Sequence, residues 1–182
     1  MTHTAAVSAG GHVKEPGYGG KYLTFRLGHE EYGLELLRVR EIIALMDITA
    51  VPLTPNYVRG VMNLRGKVIP VVDLRSKFGM ERTRDHDRKC IIVVDVLRDG
   101  HPIQMSILVD AVSEVLHIPD NDIEDVPSLN SGMNSNFLQG IAKAKGGVKI
   151  LLNIDTVLSA ISTIDLKSVV EQAREVELEL EA

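Results

Sequence analysis

At 182 residues the chain has room for one domain or two small ones, and its 45% hydrophobic content is enough for a packed core. Only 4% is aromatic, with no Trp, so that core must rest on Val, Ile and Leu, which are also good strand formers. A formal net charge of -5 argues against nucleic acid or an anionic membrane as the main partner, no run approaches the roughly 18 apolar residues of a membrane span, and a single Cys excludes an internal disulfide, as suits a reducing cytoplasm.

Residues 1–20, MTHTAAVSAGGHVKEPGYGG, lack an apolar h-region and read as a flexible tail rather than a secretory signal. YLTFRL then alternates, with Leu23, Phe25 and Leu27 on one face and Tyr22, Thr24 and Arg26 on the other, the pattern of a half-buried strand. A turn at Gly28 leads into YGLELL, where Tyr32, Leu34 and Leu36 alternate against Gly33 and Glu35 to complete a hairpin. Thr54-Pro55 has the form of an N-cap followed by Pro at the first helical position, which predicts one helical turn over 55–59 ending near Gly60. VMNLR and KVIPVVDL flank Arg65-Gly66 as a second hairpin, and Pro70, which cannot donate to a ladder, is expected at an edge or bulge. A short helix DLRSKFG and the charged linker MERTRDHDRK follow.

CIIVVDV, PIQMSILVD and AVSEVLHIP then give three strands close in sequence. PDNDIEDVPSLNSGMNSN reads as a long surface loop. GIAKAK and VKILLNI flank Gly146-Gly147, a short helix follows, and the stripe Leu166, Val169, Val170, Ala173 and Val176 predicts a C-terminal helix over 163–182 that frays at its Glu-rich end.

These segments repeat. YVRGVMNLRGKVIPVVDLRSKF recurs without a gap as FLQGIAKAKGGVKILLNIDTVL, placing Gly60 on Gly140, Gly66 on Gly146, Val72 on Leu152 and Asp73 on Asn153. Upstream, Val39, Glu41, Ile42 and Ile43 of RVREII meet Val112, Glu114, Val115 and Leu116 of AVSEVL in the same order. The chain thus holds two copies of one small all-β unit, the first about 21–80 and the second about 88–160. Each has about five short strands, the number of a small barrel. Packing the copies together adds an apolar layer between them and leaves a cleft where they meet.

No catalytic constellation emerges. The six His are scattered; His86 and Cys90 come nearest to a metal pair, and a linker imidazole and a buried, inert thiol are the plainer reading. PGYGGK and NLRGK lack the phosphate-loop pattern, no Ser sits in a Gly-x-Ser-x-Gly elbow, and Asp73, Asp95, Asp110 and Asp155 stand singly at strand ends, where a carboxylate is usually a cap. No enzyme, cofactor or metal is expected. What stands out is a carboxylate between apolar residues at the same point of each copy, Val39-x-Glu41-Ile42 and Val112-x-Glu114-Val115. Taken alone, these are core apolar residues with solvated carboxylates, and Arg65 is an exposed turn charge.

YGLELLRVREI, VRGVMNLRGKVIPVVDLRSKFG, ILVDAVSEVL and FLQGIAK, in that order, resemble the CheW family of chemotaxis coupling proteins over roughly residues 20–160. The CheW-like regulatory domain of the histidine kinase CheA and the CheW half of CheV share the motif; 182 residues hold neither a kinase nor a receiver domain, so a free-standing CheW is expected. The resemblance implies a mainly β fold of two SH3-like barrels within 21–162. It also implies a cytoplasmic, non-catalytic adaptor at the inner face of the membrane, joining chemoreceptor tips to CheA without inserting into the bilayer. Carried over by position, it places the receptor tip in the groove between barrels, against Val39, Glu41, Ile42, Val115 and Leu116, with Arg65 orienting that contact or bracing the groove and Gly60 and Gly66 structural. CheA falls to Leu129 and, by the internal symmetry, to Leu53 and Tyr57, although SLNSGMNSN departs from the family there. The alternatives are a scaffold of a non-motility signalling array, or a small ligand-binding or enzymatic barrel with its site in the cleft.

Overall fold

Short alternating runs punctuated by glycine turns become strands and hairpins in the computed structural model, which describes residues 17–81, 89–126, 135–159, 171, 174–175 and 178–180. The first copy supplies β1 (Gly20–Leu27), β2 (Glu30–Glu35), β3 (Val39–Ala44), β4 (Val58–Leu64), β5 (Lys67–Asp73) and helix α1 (Leu74–Lys77). The second supplies β6 (Cys90–Arg98), β7 (His101–Val109), β8 (Ala111–Ile118), the short β9 (Ile123–Glu124), β10 (Leu138–Ala144), β11 (Gly147–Leu152) and helix α2 (Ile154–Ser159). The mainly β class is the one expected.

The sheets, however, do not follow the copies. One runs β3-β6-β7-β5-β4 and the other β8-β1-β2-β11-β10-β9. Each therefore takes its first hairpin from one copy and its remaining strands from the other. The seams are equivalent: β3–β6 and β8–β1 antiparallel, β5–β7 and β11–β2 parallel. The two curled units are therefore built across the copies rather than within 21–80 and 88–160, because a period-two pattern records which face is buried and not which strand lies alongside.

Each sheet curls back on itself through an extension of its own edge strand. Beyond β3, Thr49 exchanges both main-chain hydrogen bonds with Val61 of β4, at 2.8 and 2.9 Å. Beyond β8, a 3₁₀ turn at Asp120–Asp122 brings β9 onto β10. The stretch expected to be only loop after Ile118 thus contains a strand, since Ile123 packs with Tyr22, Ile118 and Leu151.

The largest apolar cluster joins the sheets, uniting Leu23, Phe25 and Leu27 of β1 with Ile92, Val94, Met105 and Ile107 of β6 and β7 and with Val157 and Leu158 of α2. Smaller clusters fill each curl: Met62, Ile69, Val71, Ile91, Val93 and Leu108 in one, Tyr22, Ile118, Ala142 and Leu151 in the other. For this reason β1 is not half-buried as its alternation predicts. Tyr22 and Thr24, on the face assigned to solvent, are as buried as Phe25, because both faces of this inner strand are covered.

Two further expectations are corrected. Residues 55–57 form a turn and 58–59 already belong to β4, rather than 55–59 making a helical turn, with the Thr54 hydroxyl donating to the Val51 carbonyl. Pro70 lies inside a sheet. It is tolerated because its opposite number Val61 directs both main-chain groups to Thr49, while the parallel ladder to β7 starts only at Val71 and the Pro70 carbonyl accepts the Ser106 hydroxyl at 2.7 Å. The α1 helix forms as read, Asp73 accepting from the Arg75 amide. The C-terminal apolar stripe and His86 lie outside the described residues.

Candidate docking surface

The β4–β5 turn is tight, with Arg65 and Gly66 both left-handed (φ 51 and 83) and Asn63 Oδ1 accepting from the Gly66 amide at 2.9 Å. It aims Arg65 at Glu41 on β3, from the opposite edge of the same curled sheet. The two form a forked pair, Nη1 to Oε1 at 3.1 Å and Nη2 to Oε2. That hydrogen bonding holds the Glu41 carboxyl below its usual range and raises the Arg65 guanidinium. Beside them Ile42 stands 44% exposed, and Arg40 is engaged by Asp95, Nε to Oδ2 at 2.6 Å. Val39, only half-exposed, packs against the inter-sheet core. Three residues named together from sequence, Glu41, Ile42 and Arg65, are therefore neighbours.

The second copy repeats the arrangement on β8, where Val115 is 49% exposed and Leu116 is half-buried against the Tyr22 cluster. Both edge strands carry a bulge at the equivalent residue, Arg40 between Val39 and Glu41, and Ser113 between Val112 and Glu114. The bulge re-aims the pair that follows it, Glu41-Ile42 or Glu114-Val115. At β8 it is held by Thr24, whose buried hydroxyl donates to the Glu114 carbonyl (2.9 Å) and accepts from the Glu114 amide (3.2 Å). Thr24 escaped sequence reading because its alternation placed it on a polar face; only the pairing partner reveals its role.

Leu53 is fully exposed and in a left-handed conformation (φ 63), which costs a non-glycine residue about 1 kcal/mol. Tyr57 is different. Its carbonyl accepts the Asp73 amide and its ring lies 4.1 Å beneath Lys77 Nζ, with Phe137, its repeat counterpart, 5.6 Å from the same nitrogen. Burial holds the Lys77 ammonium below its ordinary pKa. Leu53 thus offers contact area, whereas Tyr57 is built into the junction between the copies. Leu129 lies outside the described residues. Gly60 permits a close approach, since a Cβ there would sit 2.0 Å from the Thr49 carbonyl oxygen, and Gly66 serves its turn.

Two ion pairs not singled out from sequence brace this surface. Arg75 of α1 clasps Asp110, just before β8, which also accepts the Gly28 amide at 2.7 Å. Asp155 of α2 clasps Arg38, just before β3, and accepts the Leu97 amide at 2.9 Å. The two clamps occupy equivalent places with their charges exchanged. Among the described residues no three His, Cys, Asp or Glu side chains could hold a metal ion, and no helix is long and apolar enough to cross a membrane. An open cleft of about 540 Å³ lies against β1 and the turn at 36–38, lined by Tyr18, Lys21, Tyr22, Glu35 and Leu37.

A family model described as the CheW-like domain matches residues 21–162. The chemotaxis protein CheW of Klebsiella aerogenes is 34% identical over 142 residues, which is 78% of this chain and 83% of that one. That of Rhizobium meliloti is 35% identical over 139 residues, 76% and 87% respectively. The crystal structure of the scaffolding protein TtCheW from Thermoanaerobacter tengcongensis superposes with a TM-score of 0.69 at 35% identity, covering 78% of this chain and 93% of that one.

Proposed function

The chain belongs to the CheW-like family and acts as an adaptor in chemotaxis signalling; we propose that it does so without catalysis, coupling the cytoplasmic tips of transmembrane chemoreceptors to the histidine kinase CheA. The observation that carries this reading is the pair of equivalent bulged edges that turn Ile42 and Val115 outwards, each beside a carboxylate. An exposed apolar residue fixed by a bulge at the same place in both copies is an anchor rather than stray surface.

A receptor helical hairpin supplies the matching face. Helix-in-groove recognition uses apolar anchors at helical spacing with charges at the rim. Burying what remains exposed of Ile42 and Val115 contributes about 1 kcal/mol each, a moderate affinity that an array of linked sites amplifies. Leu53, fully exposed, is the kinase-side contact best supported among the described residues. Held between receptor and kinase, the protein works in the cytoplasm beneath the membrane.

The test is CheA autophosphorylation on receptor-containing membranes, with and without this protein. Stimulation that attractant then suppresses is expected, and Val115→Glu should lose it while keeping wild-type circular dichroism. Undiminished stimulation by Val115→Glu would remove the β8 edge from the receptor site.

A further inference from the structure

Two halves of one repeat leave the chain a choice that strand alternation does not resolve. The hairpins β1–β2 and β6–β7 are equivalent, and so are the frames that receive them, β8 with β11–β10 and β3 with β5–β4. Exchanging the hairpins would rebuild every ladder within its own copy and give contiguous barrels from the same strands. What separates the two arrangements is where the charges fall. In the observed one, ion pairs join hairpin to frame across the copies: Glu31 of β2 with Lys149 of β11, Asp95 of β6 with Arg40 of β3, Asp110 after β7 with Arg75 of α1, and Arg38 after β2 with Asp155 of α2.

The ladder registers show what the exchange would do. β2 lies beside β11 with Gly33 opposite Leu151, and β7 beside β5 with Ser106 opposite Val71, so Glu31 corresponds to Gln104 as Lys149 does to Ile69. In exchanged sheets Lys149, only 5% exposed, would face Gln104, and Glu31 would face Ile69, which is 2% exposed. On the antiparallel seams Phe25 corresponds to Val94, hence Arg26 to Asp95, and the exchange sets Arg26 beside Arg40. At the clamps it brings Arg38 toward Arg75 and Asp110 toward Asp155. A buried ammonium without its carboxylate and like charges across a ladder are both costly.

We infer that these ion pairs are a pairing code, selecting the interleaved fold over its hairpin-exchanged twin. A buried ion pair seldom stabilises more than apolar residues of similar size do, and its best-attested role is to fix which elements meet. The code is weighted toward Glu31–Lys149 and Arg75–Asp110, because Arg40 and Asp95 are 58% and 25% exposed and water screens them.

The test moves the code to the other hairpin in the full chain. Glu31→Gln with Gln104→Glu transfers the carboxylate that Lys149 needs, through near-isosteric changes at two half-buried positions. Adding Arg38→Asp and Asp110→Arg transfers the clamp charges as well. Each protein is unfolded in urea, refolded and read by NMR contacts of the Gly33 α-protons, which adjoin Leu151 in the interleaved fold and Val71 in the exchanged one. The double variant is expected to show a second set of peaks with Val71 contacts in at least about a tenth of the molecules, and the quadruple variant to show mainly that set. Glu31→Gln with Lys149→Ile, which makes the second seam a copy of the first, should resist urea as wild type does yet refold to both sets. Gly33 contacts to Leu151 alone in the double variant and in this seam copy, neither of which alters the clamps, would overturn the code, whether or not the quadruple variant folds.

Discussion

Gly60 and Gly66 are glycines for different reasons, and the difference is measurable. Gly66 has a left-handed φ and open space around it, so Ala there meets only backbone strain, about 1 kcal/mol. Gly60 combines φ 140 with the Thr49 main chain pressed against its Cα, and Gly140 repeats the approach against Ile123 and Glu124. Both let the closing segment of a curled sheet cross β4 or β10. Gly60→Ala should therefore cost on the order of 3 kcal/mol and Gly66→Ala markedly less, as read by urea unfolding; equal losses would refute the crossing role. Sequence pointed to both positions, because each glycine recurs in the repeat. It could not say which was steric and which conformational, since that depends on a chain segment arriving from elsewhere.

At the scale of elements, the helices after β5 and β11 act as clamps on the other copy. The Arg75–Asp110 clamp is the more enclosed, with side chains 12% and 21% exposed. Burial alone would raise the Asp110 pKa, but the hydrogen bonds from Arg75 and the Gly28 amide, with the charges of Arg75 and Lys89, outweigh it and hold the carboxyl below its ordinary value. A depressed folded-state pKa means that the stabilisation is complete above the unfolded value of about 4 and disappears as pH falls through the folded one. Asp110→Asn should accordingly destabilise by about 2 kcal/mol at pH 7, with the gap to wild type narrowing below pH 4 in acid-unfolding curves. A gap independent of pH would show that the lost contribution is packing rather than charge. A strand-end Asp reads as a cap from sequence, and neither Asp110 nor Asp155 revealed its arginine partner there, because those partners lie 35 and 117 residues away in the chain.

In the molecule as a whole, every sheet needs both copies. Cutting the chain within 82–88, at an inserted protease site, should leave two fragments that co-elute under native conditions and part only in denaturant. Separation in native buffer would contradict the interleaved topology. The exchanged charges of the two clamps fit the same design: α1 carries Arg toward an Asp of the second copy, α2 carries Asp toward an Arg of the first, and two identical halves would set like charges together.

Sequence by itself determined the β class, the hairpins at Arg65-Gly66 and Gly146-Gly147 and the two-copy design, because strand alternation, turn glycines and repetition are local signals, whereas Glu41, Ile42 and Val115 are singled out as contacts only by the family resemblance. Only the tertiary structure decided that hairpins of one copy sit in sheets of the other, that Tyr22 and Thr24 are buried, and that Glu41 carries its own cation while Glu114 has none among the described residues. Those outcomes depend on which distant strand supplies the neighbour, and a pattern of period two is silent about its partner.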